Sequence, residues 1–176
     1  MAATNRYFPS VEKFPLSQSL VERTLDALQA EGQFRVESLV FWAGTVTDGL
    51  ATVTDVFVPK GPGVFKHPLQ VRVSDELIAV LCGRLDPPRL VLLGQVHTHM
   101  GAAFHSPSDD RFSMDTPGYI SIVVPSFARA DMAAGDGWAF YECEGRGRFR
   151  PVEAEERVRR FPRVAEGEVT VHAVYA

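Results

Sequence analysis

The chain has 176 residues, 45% of them hydrophobic, and a formal net charge of −4. That is enough apolar material for one domain with a real core, too little positive charge for a nucleic-acid footprint, and no apolar run long enough to span a bilayer. Cys82 and Cys143 form neither a disulfide framework nor a Cys-x-x-Cys metal site, and their apolar surroundings predict two buried thiols.

Residues 1–15, with Pro9 and Pro15, read as a loose lead-in to one domain over 16–176. Its start, Met1-Ala-Ala-Thr-Asn-Arg, lacks an apolar signal core, so a reducing cytoplasm is the expected setting. A first helix is predicted over about 19–30, with Ser19 and Glu22 as a capping box and Gly32 beyond its end. Strands follow at about 38–44, which ends in a glycine turn, and 50–58, joined through Thr47-Asp48-Gly49. Pro59-Lys-Gly-Pro-Gly63 opens a loop, and 65–73 is expected to extend over the site. Ser74 caps a second helix to about Gly83, with Leu77, Ile78 and Leu81 facing the core, and Pro87-Pro88 closes it. Residues 89–96 have strand character, and a short helix covers about 107–114. Strands at 119–124 and 138–143 precede a hairpin turn at Gly145-Arg-Gly-Arg, a charged helix at 153–161 and an alternating strand at 168–175. That last strand is expected to complete the sheet; addition to a partner chain is the alternative.

The stretch His97-Thr-His-Met-Gly-Ala-Ala-Phe-His-Ser-Pro-Ser-Asp109 carries the chemistry. Residues two apart on a strand share a face, so His97 and His99 project together and Thr98 turns away. Ser106 is a good helix N-cap, Pro107 suits the first helical position, and Asp109 in the first turn can turn back toward the histidines. Singly, each has an ordinary reading: a core histidine, a cap, an acid compensating the helix dipole. Together, two histidines and an aspartate hold one zinc ion and leave a fourth position open, which means chemistry rather than scaffolding. A hydrolase also needs a base beside its water. Glu37, before the apolar run Ser38-Leu-Val-Phe-Trp-Ala-Gly44, is either that base or the last solvated residue before a strand. The motif argues against a nucleobase deaminase, because no glutamate stands third in it and no Pro-Cys-x-x-Cys follows.

An upstream glutamate opening a strand, then His-x-His, then Ser-x-x-Asp, resembles the JAB1/MPN/Mov34 metalloenzyme signature (JAMM, MPN+) over about residues 16–145. Met100 stands where the family commonly has proline, and the gap from His99 to Ser106 is one residue shorter than usual. The usual gap would select Ser108, whose Ser-x-x-Asp partner would be Arg111, so Ser106 and Asp109 are the matching pair. His105 has no fixed role in the family.

The resemblance implies an α/β fold of the α+β type: a single MPN/JAB domain with a mixed central sheet flanked by helices, in a cytidine-deaminase-like architecture. It implies Zn2+ on His97, His99 and Asp109, with Glu37 moving the proton of a water acidified from about 15.7 toward about 7. Ser106 would stabilise the oxyanion, a contribution of roughly 3 kcal/mol. Family members cut amides after the Gly-Gly tail of ubiquitin or ubiquitin-like proteins. Short bacterial forms work beside E1-like and E2-like enzymes in antiphage or sulfur-carrier systems. The expected function is therefore a deubiquitinase-like isopeptidase acting on a ubiquitin-like protein, with no nucleic-acid or membrane partner. A zinc hydrolase of small-molecule or peptide amides and a non-catalytic scaffold are the alternatives.

Overall fold

The computed structural model describes residues 10–86, 89–129 and 137–176. In chain order these form β1 (Leu16–Ser17), α1 (Gln18–Gly32), β2 (Leu39–Thr47), β3 (Leu50–Lys60), β4 (Val64–His67), β5 (Gln70–Val73), α2 (Asp75–Gly83) and β6 (Val91–Thr98). They continue with α3 (Pro107–Phe112), β7 (Ile120–Val124), β8 (Ala139–Gly145), β9 (Arg148–Pro151), α4 (Ala154–Arg160), β10 (Arg163–Val164) and β11 (Thr170–Tyr175). A seven-stranded mixed sheet runs in the order β11-β3-β2-β6-β7-β8-β9. The parallel pairs are β6–β7 and β11–β3. The expected mixed sheet flanked by helices is therefore present, and the last strand completes the chain's own sheet as its edge.

Alternation along β2 builds a core on each face. Val40 and Trp42 meet Leu20, Leu25 and Leu28 of α1. Leu39, Phe41 and Ala43 meet Leu77 and Leu81 of α2, with Val71 and Val73 of the β4–β5 hairpin packed beside them. Trp42 is fully buried, and its indole N–H donates to Thr24 Oγ1 at 2.9 Å, so burying its one polar atom leaves no donor unpaired.

A bulge decides which face of the sheet carries the chemistry. Trp42 pairs with Gly94 but Ala43 pairs with Leu92, which leaves Leu93 as an extra residue in β6. Such an insertion reverses the inside–outside parity beyond it. Leu93 packs in the α1 core, whereas Gln95 and His97 reach the cavity on the α2 face, with Leu39 and Phe41. The next residue, Gly94, faces the neighbouring strand so closely that a Cβ there would stand 2.6 Å from the Ile120 carbonyl oxygen.

Several expectations need correction. The cap of α1 is Ser17, whose Oγ accepts from Leu20 N at 3.1 Å, and Gly32 lies inside the helix. Because the cap falls two residues earlier, Ser19 and Glu22 do not form its capping box. Gly44 sits within β2, opposite a second bulge, and the turn lies farther on at Asp48-Gly49, where both φ angles are positive. Cys143 is buried but Cys82 is exposed: α2 turns Leu77 and Leu81 inward, which leaves position 82 outside. Within the segment read as a lead-in, Phe14 is buried against Trp42 and Phe161, and Glu12 N donates to Gly49 O at 2.8 Å. Pro9 and the Pro87-Pro88 stop lie outside the described residues.

The tail is clamped by charge. Arg160, buried, pairs with Glu142 at 3.0 Å and Glu156 at 2.7 Å, donates to Val11 O at 3.2 Å, and shares both acids with Arg150. Hydrogen bonds from Arg150 and Arg160 hold the Glu156 carboxyl down to about 2, from an ordinary 4.5. An acid depressed in the folded state contributes stability above its unfolded pKa and loses it as pH falls toward the folded value. The wild type is thus expected to lose on the order of 1–2 kcal/mol from this clamp between about pH 4.5 and 2, after solvent screening. Glu156→Gln should flatten that part of the stability–pH curve in urea melts. Gly94→Ala should cost about 1–3 kcal/mol through overpacking; an unchanged denaturation midpoint would refute the close approach of β7.

Candidate metal centre

The last residues of β6 and the first turn of α3 bring three side chains together. His97 opposes Leu39 across the antiparallel β2–β6 pair, and continuing that register places His99 opposite Glu37. Thr98 points away, and its hydroxyl accepts from Ser38 N at 2.9 Å. Beyond β6, His99 N donates to Val124 O and Phe127 N donates to His99 O, both at 2.9 Å, so the second histidine's backbone is held on two sides. The ring of Phe104 stands edge-on to the His99 ring, with centroids 4.9 Å apart.

Asp109 arrives by helix-capping chemistry. Ser106 Oγ accepts from Asp109 N at 3.2 Å, while Ser106 N donates to Asp109 Oδ2 at 2.7 Å. This reciprocal box fixes the carboxylate at the third position of α3. Asp109 Oδ1 then lies 3.3 Å from His97 Nε2, and Oδ2 lies 3.2 Å from His99 Nε2. The ligand atoms of all three residues lie within 4.8 Å of one another.

These residues fit a metal. Nitrogen and oxygen donors on one tetrahedral ion at about 2.0–2.1 Å stand about 3.4 Å apart, close to the separations seen. Both ring nitrogens of His97 are buried without a hydrogen-bond partner among the described residues. Unsatisfied buried polar atoms cost stability, and a cation on Nε2 would remove one of those deficits. Burial works against ionisation of Asp109, but the adjoining rings of His97 and His99 outweigh it and hold the acid well below its usual range. The group is thus an anion ready to receive a cation.

Glu37 is buried, not solvated: it is 3% exposed and its N donates to His67 O at 3.0 Å. Its Oε1 lies 4.0 Å from His99 Nε2, and Oε2 has no hydrogen-bond partner among the described residues. Burial, opposed by His99 and aided by Asp109, pushes the carboxyl up to about 7. A carboxyl so placed both takes and gives a proton near neutral pH.

Ser106 lies at the cap of α3, with its oxygen engaged as an acceptor. Ser108 is turned elsewhere and bonds Gln70 of the hairpin. The role of His105 was invisible in the sequence. Its ring lies between Phe149 and Tyr141, with centroids 4.6 and 4.9 Å away. Its Nδ1 meets Asp110 Oδ1 at 2.9 Å and its Nε2 meets Ser121 Oγ at 3.1 Å. It therefore anchors the loop between His99 and Ser106. Gln95 is the other omission: two residues before His97 on the same strand, it donates to Ser113 Oγ at 2.8 Å. Its spacing gave the signal.

A histidine pair at the end of the central strand, an acid from a capped helix and a facing glutamate with one oxygen unpaired define a metal-dependent hydrolase. Comparison with known proteins agrees. The chain is 31% identical over 128 residues to the "probable metalloprotease" of Sinorhizobium fredii, covering 68% of this chain and 75% of that one. It belongs to the JAB1/MPN/Mov34 (JAMM, MPN+) metalloenzyme family. A solution structure from Desulfitobacterium hafniense shares the fold, with TM-score 0.50 and 17% identity over 91% of this chain and 93% of that one. A JAB1/MPN domain protein of Archaeoglobus fulgidus aligns with TM-score 0.46 and 17% identity over 80% and 94%. No family model matches the sequence. Among the described residues, no helix is long and apolar enough to cross a membrane.

One divalent cation per chain is expected. His97→Ala and Asp109→Asn should each weaken it by more than the roughly 10–100-fold typical of groups one step removed from a metal. Equilibrium dialysis with elemental analysis measures this; unchanged affinity in both variants would place the metal elsewhere.

Proposed function

We propose that the chain is a zinc-dependent peptidase of the isopeptidase type, cleaving the amide that follows the C-terminal tail of a ubiquitin-like protein. The reading places it in a bacterial ubiquitin-like pathway, antiphage or sulfur-carrier, beside E1-like and E2-like enzymes. The observation that carries the hydrolytic part is Glu37, a buried carboxyl with one oxygen unpaired, facing the His-His-Asp cluster. The two-histidine, one-carboxylate donor set suits zinc with an open position.

Zinc, when bound, acidifies a water molecule and polarises a carbonyl. The chain's own residues do the rest. Glu37 accepts a proton from the attacking water and returns it to the departing amine. The Ser106 hydroxyl, whose oxygen already caps α3, retains its proton to donate toward the oxygen that gains charge. The products are a carboxylate and an amine.

The substrate assignment is supported by the β4–β5 hairpin. Its Gln70 bonds Ser108 beside the cluster, and its His67 carbonyl receives the Glu37 N–H. It therefore borders the site, and its proposed role is to admit a glycine tail and exclude a bulkier chain. The second reading, a hydrolase of short peptide amides, is favoured by a pocket beside the cluster. A non-catalytic scaffold would have no use for a full ligand set with an unpaired acid.

The test is cleavage of a ubiquitin-like protein fused through its Gly-Gly tail to a reporter. Glu37→Gln should lower kcat by about 10²–10⁴-fold with the metal retained, and Ser106→Ala by about 10²-fold. Val64→Asp and Phe65→Ala should raise KM. Zinc-loaded wild type that leaves such fusions intact would remove the ubiquitin-like substrate from the reading.

A further inference from the structure

A cavity of about 270 Å³ opens beside the metal centre, sharing His97 and Asp109 as one wall. Leu39, Val71, Ile78 and Met114 make it apolar. Two arginines, Arg72 and Arg111, also line it. Arg72 is the unusual one. Its guanidinium lies 4.7 Å from the Phe65 ring centre and 5.0 Å from that of Phe112, in cation–π contact with both. Its Nε is buried without an acceptor, and it forms no ion pair with any described residue. Of the two acids in the wall, Asp109 is turned to the histidines, and Asp75 is exposed at the start of α2. A pre-oriented guanidinium with an unsatisfied buried N–H is a receptor waiting for an anion.

The reading above puts glycine on the acyl side of the cleaved bond, and glycine has no side chain to fill such a space. The occupant must then come from the amine side. We infer that this pocket receives the residue whose amine is released, and that Arg72 binds a carboxylate on that residue. The carboxylate is either the α-carboxylate of a terminal amino acid or the side chain of an acidic one. A lysine side chain on a folded protein offers neither. The pocket thus selects trimming of a short C-terminal extension over removal of a conjugated protein. The inference rests on the proposed amidase reading and narrows its substrate.

Two measurements separate this claim from that reading. In the first, peptides ending in Gly-Gly-Ala are compared as free acid and as amide, and Gly-Gly-Glu-amide is compared with Gly-Gly-Gln-amide. Wild type is expected to favour one acid form in kcat/KM by on the order of 10-fold or more, the scale of one charge-assisted hydrogen bond. The pair that shows the preference identifies the source of the carboxylate. In Arg72→Met the ratio should fall to about one. Arg72→Lys, which keeps the charge without the planar fork, should lie between. Cleavage by wild type with no acid preference in either pair would overturn the inference while leaving the peptidase standing. In the second, the Arg72 Nε–H resonance is followed by NMR during titration with L-glutamate and with L-glutaminamide. A shift with glutamate alone supports the pocket even if no peptide is cut; no shift with either overturns it.

Discussion

The chemistry of this molecule depends on one extra residue. Leu93 has no partner of its own in β2, and the insertion exchanges the two faces of β6 for everything that follows. Without it, His97 would point into the apolar core under α1, where two ring nitrogens meet only hydrocarbon. With it, Gln95, His97 and then His99 share a face with Leu39 and Glu37. The bulge also needs Gly94 beside it, because β7 approaches too closely for a side chain. Bulges next to active sites re-aim side chains at the cost of a ladder hydrogen bond. Here the re-aimed side chains include both histidines of the cluster.

The second constraint is economical. The same carboxylate that closes the α3 capping box stands between the two histidines. Capping satisfies one helix donor and fixes the rotamer of Asp109, so the local rule that starts the helix also sets the position of the acid in the cluster. The arrangement is unfavourable on its own terms. His97 lacks partners at both nitrogens and Glu37 at one oxygen. Deficits of this kind collect where a structure is completed by something it binds, and the sheet core on both sides holds them in place.

The sequence revealed the site through its polar spacing and the fold through its apolar runs. His-x-His predicts a shared face whether or not a bulge precedes it, so the pair was legible while the face it occupies was not. The cap Ser106 and the helix after it follow from local chemistry. Ser17 and Ser19 are both acceptable caps, and only docking of Leu20, Leu25 and Leu28 on the sheet selects the first. Cys82 looks buried in an apolar run, yet the helical period carries it outside. The anchoring of His105 and the setting of Arg72 went unread for one reason: their partners, at Phe149 and Tyr141 and at Phe65 and Phe112, are distant in sequence, and a side chain stacked on a remote ring leaves no local pattern.

The β4–β5 hairpin connects these parts. It gives the Glu37 N–H its acceptor through His67, bonds Ser108 through Gln70, and presents Arg72 to the cavity. One short element thus touches the backbone of Glu37, the helix that carries Asp109 and the cavity beside the cluster. A two-stranded hairpin has little stability of its own, and this one is held by Val71 and Val73 against the α2 core and by Lys66 pairing with Glu31. Its exposed tip, at Leu69, lies outside that packing. A substrate group seated between Arg72 and the metal centre would press on the strand whose neighbour fixes Glu37. Recognition and proton transfer are then set by the same hydrogen-bonded ribbon, so a substrate that fails to seat would leave the acid less well placed.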